Sequence, residues 1–303
     1  MQFTKAHATG NDFVLLADPA GQMDLDHGFV TAVCDRHLGV GADGLIRAVP
    51  AHLMAKGRRL LDEHSMTSTV DAPVWFMDYV NSDGSMAQMC GNAVRALVHF
   101  LVAEGLVTLT EGDELPIMTR SGLRAVRRVE EGYAVGMGVW SFIDPEMAAE
   151  QASDSLVKAA SEAEPRPALS ISMGNPHTVV ALPDDAALNR LSLTSAPTVE
   201  PTPPHGTNVE FVVPGSPLVQ DGIGHVRMRV HERGVGETLS CGTGACAAAA
   251  ATRVWAADEG VDAWKVATAG GELTVSFAAR QDGAEEVTLA GPATIVFTGE
   301  LVP

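Results

Sequence analysis

Two stretches of the chain, 151 positions apart, follow one plan, and few folds can accommodate such a pair. Residues 81–105, NSDGSMAQMCGNAVRALVHFLVAEG, run from a turn at Asp83-Gly84 through Cys90 and Gly91 into an apolar segment. Residues 231–260, HERGVGETLSCGTGACAAAAATRVWAADEG, run from a glycine-rich loop at Gly234 to Gly236 through Cys241 and Gly242 into a run of alanines. Alanine and leucine are strong helix formers, so each cysteine should stand at a helix N-terminus. There the unpaired backbone N–H groups and the positive end of the helix dipole favour negative charge, either a thiolate or a substrate carboxylate. Asn92 and Thr243 hold the same place after their cysteines, and both are capping residue types. Both segments close on Glu-Gly, Glu104-Gly105 and Glu259-Gly260, with glycine where a helix C-terminus wants one. Each is apolar nearly all round, which predicts burial.

Other features recur at similar offsets. Gly10-Asn11-Asp12-Phe13 and Gly174-Asn175-Pro176-His177 each precede a β-rich run, and the strand-like segments 74–77 and 226–230 each lead to a cysteine loop. After each cysteine helix, Thr119-Arg120-Ser121-Gly122 and Thr268-Ala269-Gly270-Gly271 introduce a strand pair broken at Gly132 and Gly283. Self-similarity at several independent points argues for two matched half-domains.

Between the repeats, residues 26–37 read as a helix. Gly39-Val40-Gly41-Ala42-Asp43-Gly44 contains G-x-G-x-x-G, yet a strand follows it instead of preceding it, the wrong order for a dinucleotide site. Residues 50–73 carry no clear period and read as an inserted surface loop with Lys56, Arg58 and Arg59 solvated. The acidic, alanine-rich stretch 141–167 reads as a helix and then a loop. The proline-rich segment 197–204 delivers Asn208 into a strand, where it either meets ligand or satisfies its own turn.

At 303 residues the chain is long enough for two domains, each with its own core. The start, Met1-Gln2-Phe3-Thr4-Lys5, lacks the apolar core of a signal peptide and the alanine run is too short to span a membrane, so the cytoplasm is the expected location. Four cysteines, Cys34, Cys90, Cys241 and Cys246, are too few for a disulfide scaffold. Cys241 and Cys246 lie five apart, on different helix faces, and would not share a metal. A net charge of −18 argues against binding a nucleic-acid backbone.

A lone cysteine is usually buried and inert, the role expected of Cys34 and Cys246. Cys90 and Cys241, in matched loop-Cys-Gly-helix settings, suit a reaction that moves a proton between opposite faces of one carbon: one thiolate removes the α-proton while the other thiol delivers its own. The helix ends would stabilise charge building on the substrate carboxylate. His177 and Glu232, one from each loop of the second half, are candidate tuners of those thiols; the alternatives are a structural histidine beside a turn, against which Gly-Asn-Pro-His gives His177 weight, and one member of an exposed pair, against which the charge-poor cysteine loop favours a functional Glu232.

The motifs quoted so far, with Asn81-Ser82-Asp83-Gly84-Ser85, Met89-Cys90-Gly91-Asn92, Gly206-Thr207-Asn208-Val209-Glu210-Phe211 and Glu232-Arg233-Gly234, are ordered along nearly the whole chain, which resembles the diaminopimelate epimerases. The resemblance implies an isomerase that interconverts LL- and meso-2,6-diaminopimelate without cofactor or metal, on the route to lysine and peptidoglycan. It implies an α/β fold of α+β type in two pseudo-symmetric domains, each a mixed β-sheet wrapped around a central apolar helix, with boundaries at 1–134 plus a returning strand 291–303, and 135–290. Carried over by motif, Cys90 and Cys241 are the acid–base pair, and His177 and Glu232 modulate their pKa values. Asn11, Asn81, Asn175, Asn208, Glu232 and Arg233 bind substrate, with Gly91-Asn92 and Gly242-Thr243 gripping the α-carboxylate. The partner is the small-molecule substrate, with no nucleic acid and no membrane, and the expected assembly is a homodimer. Three positions depart from the pattern: Gly44 where glutamine is common, Ala93 where glycine is usual after Cys-Gly-Asn, and a long 50–73 segment.

Proline racemases share the fold but tend to place histidine where Asn92 stands, and phenazine-type isomerases lack the cysteine pair. A nucleotide-dependent oxidoreductase would use Gly242-x-Gly244-x-x-Ala247, but no strand abuts that glycine. An amino-acid-binding or thiol-sensing protein is the non-enzymatic alternative. With four lysines and none in a recognisable site, pyridoxal phosphate is not expected.

Overall fold

A computed structural model describes residues 1–257 and 260–302. The chain divides into two compact units, Met1–Gly136 with Ala290–Pro303, and Met137–Leu289. In the first unit the elements run β1 (Gln2–Ala8), β2 (Asn11–Ala17), α1 (His27–Cys34), β3 (Gly44–Pro50), α2 (Ala55–Glu63), β4 (Trp75–Asn81), α3 (Gly91–Ala103), β5 (Glu114–Thr119), β6 (Gly122–Val129) and β7 (Gly132–Val139). The second holds β8 (Ser141–Phe142), α4 (Pro145–Gln151), β9 (Ser155–Lys158), β10 (Arg166–Ser172), β11 (Pro176–Ala181), α5 (Asp185–Arg190), β12 (Thr198–Glu200), β13 (Asn208–Gln220), β14 (Ile223–Glu232), β15 (Gly236–Thr238), α6 (Gly242–Ala256), β16 (Ala263–Thr268), β17 (Gly271–Ala279) and β18 (Glu285–Gly291). The last strand, β19 (Thr294–Glu300), pairs antiparallel with β1.

Strand senses repeat between the units. In the first, β1–β2 is antiparallel, β2–β3 parallel, β3–β4 antiparallel, β4–β5 parallel and β5–β6 antiparallel. In the second, β10–β11, β11–β13, β13–β14, β14–β16 and β16–β17 give the same alternation. The mixed sheets that the family resemblance implies are present, and each lies against one helix. Helix α3 packs on β1 to β4, and α6 on β10, β11, β13, β14 and β16. A helix facing its sheet on several sides at once needs small or apolar residues throughout. Residues 245–251 of α6 are accordingly buried, as are the side chains of α3 from Asn92 to Val98.

The helix ends differ from the sequence reading. The N-caps are Cys90 and Cys241 themselves, both with extended backbone, and Asn92 and Thr243 fall inside the first turn. At the far end α3 stops as predicted, at Glu104 with Gly105 left-handed (φ +69°). Helix α6 stops sooner, at Ala256, and Ala257 takes the left-handed turn; Glu259 lies outside the described residues.

The 50–73 segment is not an irregular loop. It carries α2, whose Leu60 and Leu61 join Val49, Phe76 and Met118 in a buried cluster. The helix shows only two apolar residues on one turn, too few for a period to register. Within 141–167 the helix is confined to α4, capped by Asp144 through its bond from the Met147 amide, and strands β8 and β9 flank it.

Candidate active site

The first cysteine is placed by α3 and by the β1–β2 hairpin. Asn11 opens β2 immediately after the Thr9-Gly10 turn, where Gly10 is left-handed (φ +82°), and its side chain reaches the α3 terminus. Its Oδ1 accepts from the half-buried Cys90 Sγ at 3.6 Å and from Asn92 Nδ2 at 3.5 Å. Its Nδ2 donates to Asp43 Oδ2 at 2.6 Å. Asn92 is held in turn by Arg95, whose Nη2 donates to Asn92 Oδ1 at 2.7 Å. Cys90, Gly91, Asn92 and Asn11 therefore form one group. Asn81, at the end of β4, turns instead into its own loop and donates to Ser85 Oγ at 3.0 Å.

The second cysteine is more enclosed. Cys241 Sγ accepts the Gly244 N–H at 3.4 Å and lies 3.5 Å from Thr243 Oγ1. Asn175 donates to that same hydroxyl at 3.5 Å, the counterpart of the Asn92–Asn11 contact. Beneath the helix end, register puts three ionisable side chains on one face of the sheet: His177 lies opposite Asn208 across β11–β13, Glu210 opposite Val230 across β13–β14, and Glu232 two residues beyond Val230. His177 and Glu210 are wholly buried, with Nδ1 and Oε1 2.7 Å apart. Glu232 accepts from the Thr238 hydroxyl and is hydrogen-bonded to Cys241.

Burial, above all, pushes the Cys241 thiol well above its ordinary range, and the negative charges of Glu232 and Glu210 push the same way. The sequence reading had the helix terminus favouring negative charge, either a thiolate or a substrate carboxylate. Here the Gly244 N–H does favour a thiolate, but desolvation and two carboxyls outweigh it, so the resting sulfur keeps its proton. Glu232 is itself raised, first by burial and then by Glu210, against the hydrogen bonds from Thr238 and Cys241.

Two predicted residues serve the loops. Asn208 donates to the Pro176 carbonyl at 3.1 Å and accepts the Arg233 N–H at 2.9 Å. The Arg233 guanidinium is exposed and donates to the His205 carbonyl at 2.6 Å. Cys34 and Cys246 are buried, as expected. Two residues were missed. Asp43 sits in the glycine-rich stretch dismissed as a nucleotide motif. Glu210 sits in a run of strand residues where an inward position is normally apolar; an acidic residue alternating with Val209 and Phe211 was the available signal.

The sequence model of the diaminopimelate epimerase family matches residues 3–143 and 169–296. The chain belongs to that family. Relatives in it include diaminopimelate epimerases of Streptomyces coelicolor, 40% identical over 98% of this chain and 94% of its own length, and of Corynebacterium glutamicum, 39% identical over 99% and 97%. Among solved structures, a phenazine biosynthesis protein of the PhzF family from Bacillus anthracis superposes with a TM-score of 0.69 at 15% identity, covering 100% of this chain and 99% of that one. A hydroxyproline epimerase from Agrobacterium vitis gives 0.59 at 14%, covering 99% and 90%. At such identities these two establish the fold alone. Membership in the diaminopimelate epimerase family makes the chain an isomerase, and among the described residues no helix is long and apolar enough to cross a membrane.

Proposed function

We propose that the chain interconverts LL- and meso-2,6-diaminopimelate by a cofactor-independent exchange of the α-proton, with Cys90 and Cys241 as the two acid–base groups. The observation that carries this reading is that each cysteine caps the central helix of its own unit at the same point in a repeated fold, within a chain of this family. In one direction a thiolate at Cys90 removes the α-proton and the Cys241 thiol protonates the opposite face; in the other the roles reverse. The raised Cys241 thiol suits the donor role. The backbone N–H groups after each cysteine, at Gly91-Asn92 and Gly242-Thr243, supply donors for the substrate carboxylate as charge builds on it. His177 and Glu232 modulate the pKa values of the two thiols. Asn11, Asn81, Asn175, Asn208, Glu232 and Arg233 form the polar set for the rest of the substrate; Arg233, an exposed guanidinium that donates to the His205 carbonyl, is the group suited to a distal carboxylate. The cytoplasmic location, the homodimer and the place on the route to lysine and peptidoglycan belong to the same proposal.

The test is α-deuterium incorporation in D₂O without added cofactor, comparing LL-diaminopimelate with proline, lysine and glutamate. A site built to bond a second amino-acid head rejects analogues lacking it by about 10⁴–10⁵-fold, so only diaminopimelate should exchange readily. Cys90→Ala or Cys241→Ala should slow turnover by about 10²–10⁴-fold. Exchange of proline at a comparable rate would move the assignment to the racemase branch of the fold, and near-normal turnover in either variant would end the two-thiol reading.

A further inference from the structure

The buried pair His177–Glu210 has no counterpart in the first unit, and the register shows what stands there instead. Phe13 lies opposite Gly44 across β2–β3 as His177 lies opposite Asn208 across β11–β13. Two residues on, Leu15 opposite Ile46 corresponds to Val179 opposite Glu210. The first unit thus closes over Phe13 and Ile46, both fully buried, at the places that hold His177 and Glu210 in the second. The fold itself is content with apolar side chains there. Replacing a buried polar pair by packed apolar residues of similar volume is, moreover, often neutral or stabilising.

Two further observations tie Glu210 to the chemistry of Cys241. A Cβ on Gly244, in the first turn of α6, would come within 2.7 Å of Glu210 Oε1 and 3.3 Å of Cys241 Sγ, so glycine at this place makes room for the carboxyl beside the thiol. Among the described residues, His177 Nε2 and Glu210 Oε2 are buried with no hydrogen-bond partner, a costly arrangement unless it is used. The groups facing Cys241 are Glu232 from β14, Glu210 from β13 and Thr243 from its own helix, with His177 from β11 behind them; among the described residues no lysine or arginine is ion-paired with either glutamate.

The geometry points to Glu210 as a positioning residue for proton transfer at Cys241: its carboxylate accepts Nδ1–H of His177, locking the imidazole in one tautomer with Nε2 free, and it stands at the first turn of α6 in the room that Gly244 leaves beside the thiol. This rests on the reading of Cys241 as an acid–base group. His177 and Glu210 are thus a two-residue device present in one half of a duplicated fold, and it makes the two thiols chemically unequal.

The ring of His177 reports it directly. In ¹⁵N-labelled wild-type protein, with His177 assigned by its loss in His177→Phe, Nδ1 should carry a hydrogen-bonded proton that Glu210→Gln perturbs. Glu210→Gln should also lower kcat by about 10²-fold with KM for diaminopimelate unchanged. The alkaline limb for the direction in which Cys241 donates should move to lower pH, because the thiol loses a neighbouring negative charge. The double variant His177→Phe/Glu210→Ile, which copies the first unit, should fold and lose activity to the same degree. A wild-type ring unprotonated at Nδ1 would overturn the proposal even if no variant folded, and so would a folded Glu210→Gln or double variant with unaltered kcat and pH profile. Failure of wild-type protein to exchange the α-proton of diaminopimelate would count instead against the assigned reaction, leaving the ring measurement to stand alone.

Discussion

Asp43 decides which end of the Asn11 amide meets Cys90. Its Oδ2 takes Nδ2 at 2.6 Å and also the Asp12 backbone N–H at 3.1 Å, so the carbonyl end of Asn11 is the one turned to the thiol. A carboxylate accepts only, and no flipped amide could satisfy it. Arg36 backs the arrangement from outside, with Nη2 2.7 Å from Asp43 Oδ1 and 2.8 Å from Asp12 Oδ1.

Asp43→Ala should therefore impair turnover without touching substrate. A hydrogen bond to a charged group is worth roughly 1.5–3 kcal/mol, and the partial exposure of Asp43 places the effect at the lower end, about tenfold in kcat. Cys90→Ala/Asp43→Ala should be no slower than Cys90→Ala, since Asp43 acts only through that thiol's neighbour. A double variant slower than either parent by independent factors would place Asp43 elsewhere in the reaction.

How much of this was legible beforehand depends on the range of the interaction. The cysteine helices, the hairpins and the strands leading to them follow from period, turn residues and internal repetition, all local signals, and the structure has them. Helix α2 escaped because its buried face is one turn of two leucines. Asp43 and Glu210 escaped because their partners, Asn11 and His177, are 32 and 33 positions away and meet only through strand register. For Cys241 the helix terminus is visible in sequence, whereas the burial and the two carboxyls that raise its thiol require the sheet.

The glycine-rich stretch before β3 has a structural reason of its own. A Cβ on Gly39 would sit 2.1 Å from the Ala32 carbonyl oxygen, so the chain can cross the end of α1 there only without a side chain. Gly39→Ala must push this crossing outward. It should cost at least about 1–3 kcal/mol, read as a lower Tm, and should disturb Asp43 four residues on. A variant with wild-type Tm would show that the crossing is looser than the packing indicates.

Alkaline stability should report on Cys34. Burial raises its thiol to about 11, with the Asp12 and Asp43 charges adding and Lys5 and Arg36 opposing. A folded pKa above the unfolded one gives stability that is whole below the unfolded value, ~8.5, and is lost as pH rises through the folded value. Between about pH 8.5 and 11 the chain should lose of order 3 kcal/mol through this group. Urea melts of Cys34→Ala, lower at neutral pH because of the vacated space among Val14, Leu16 and Val30, should fall less steeply over that window. Parallel curves would assign the alkaline loss to other groups.

Arg95 offers the sharpest separation of packing from catalysis on the Cys90 side. It stands five residues after Cys90, as Cys246 does after Cys241, and both are completely buried. A guanidinium inside a helix packed on its sheet is expensive, and its bonds show what it supports: Nη2 donates to Asn92 Oδ1 at 2.7 Å and to Thr9 Oγ1 at 3.4 Å, and Nη1 to the Gly91 carbonyl at 3.4 Å. Arg95 thereby ties the first turn of α3 to the hairpin turn that carries Asn11. Arg95→Met, which keeps much of the stem and removes the charge, should change stability by no more than about 1–2 kcal/mol while kcat falls about tenfold or more, because Asn92 is released from its orientation. Arg95→Lys should do worse on both counts, since a single ammonium cannot reach Asn92, Thr9 and the Gly91 carbonyl together and remains buried with its charge under-satisfied. Thermal melts beside steady-state rates decide it. An Arg95→Met protein with full activity would reduce this arginine to a packing residue, and an Arg95→Lys protein more active than Arg95→Met would mean that charge, not the planar fork, is what the α3 terminus requires.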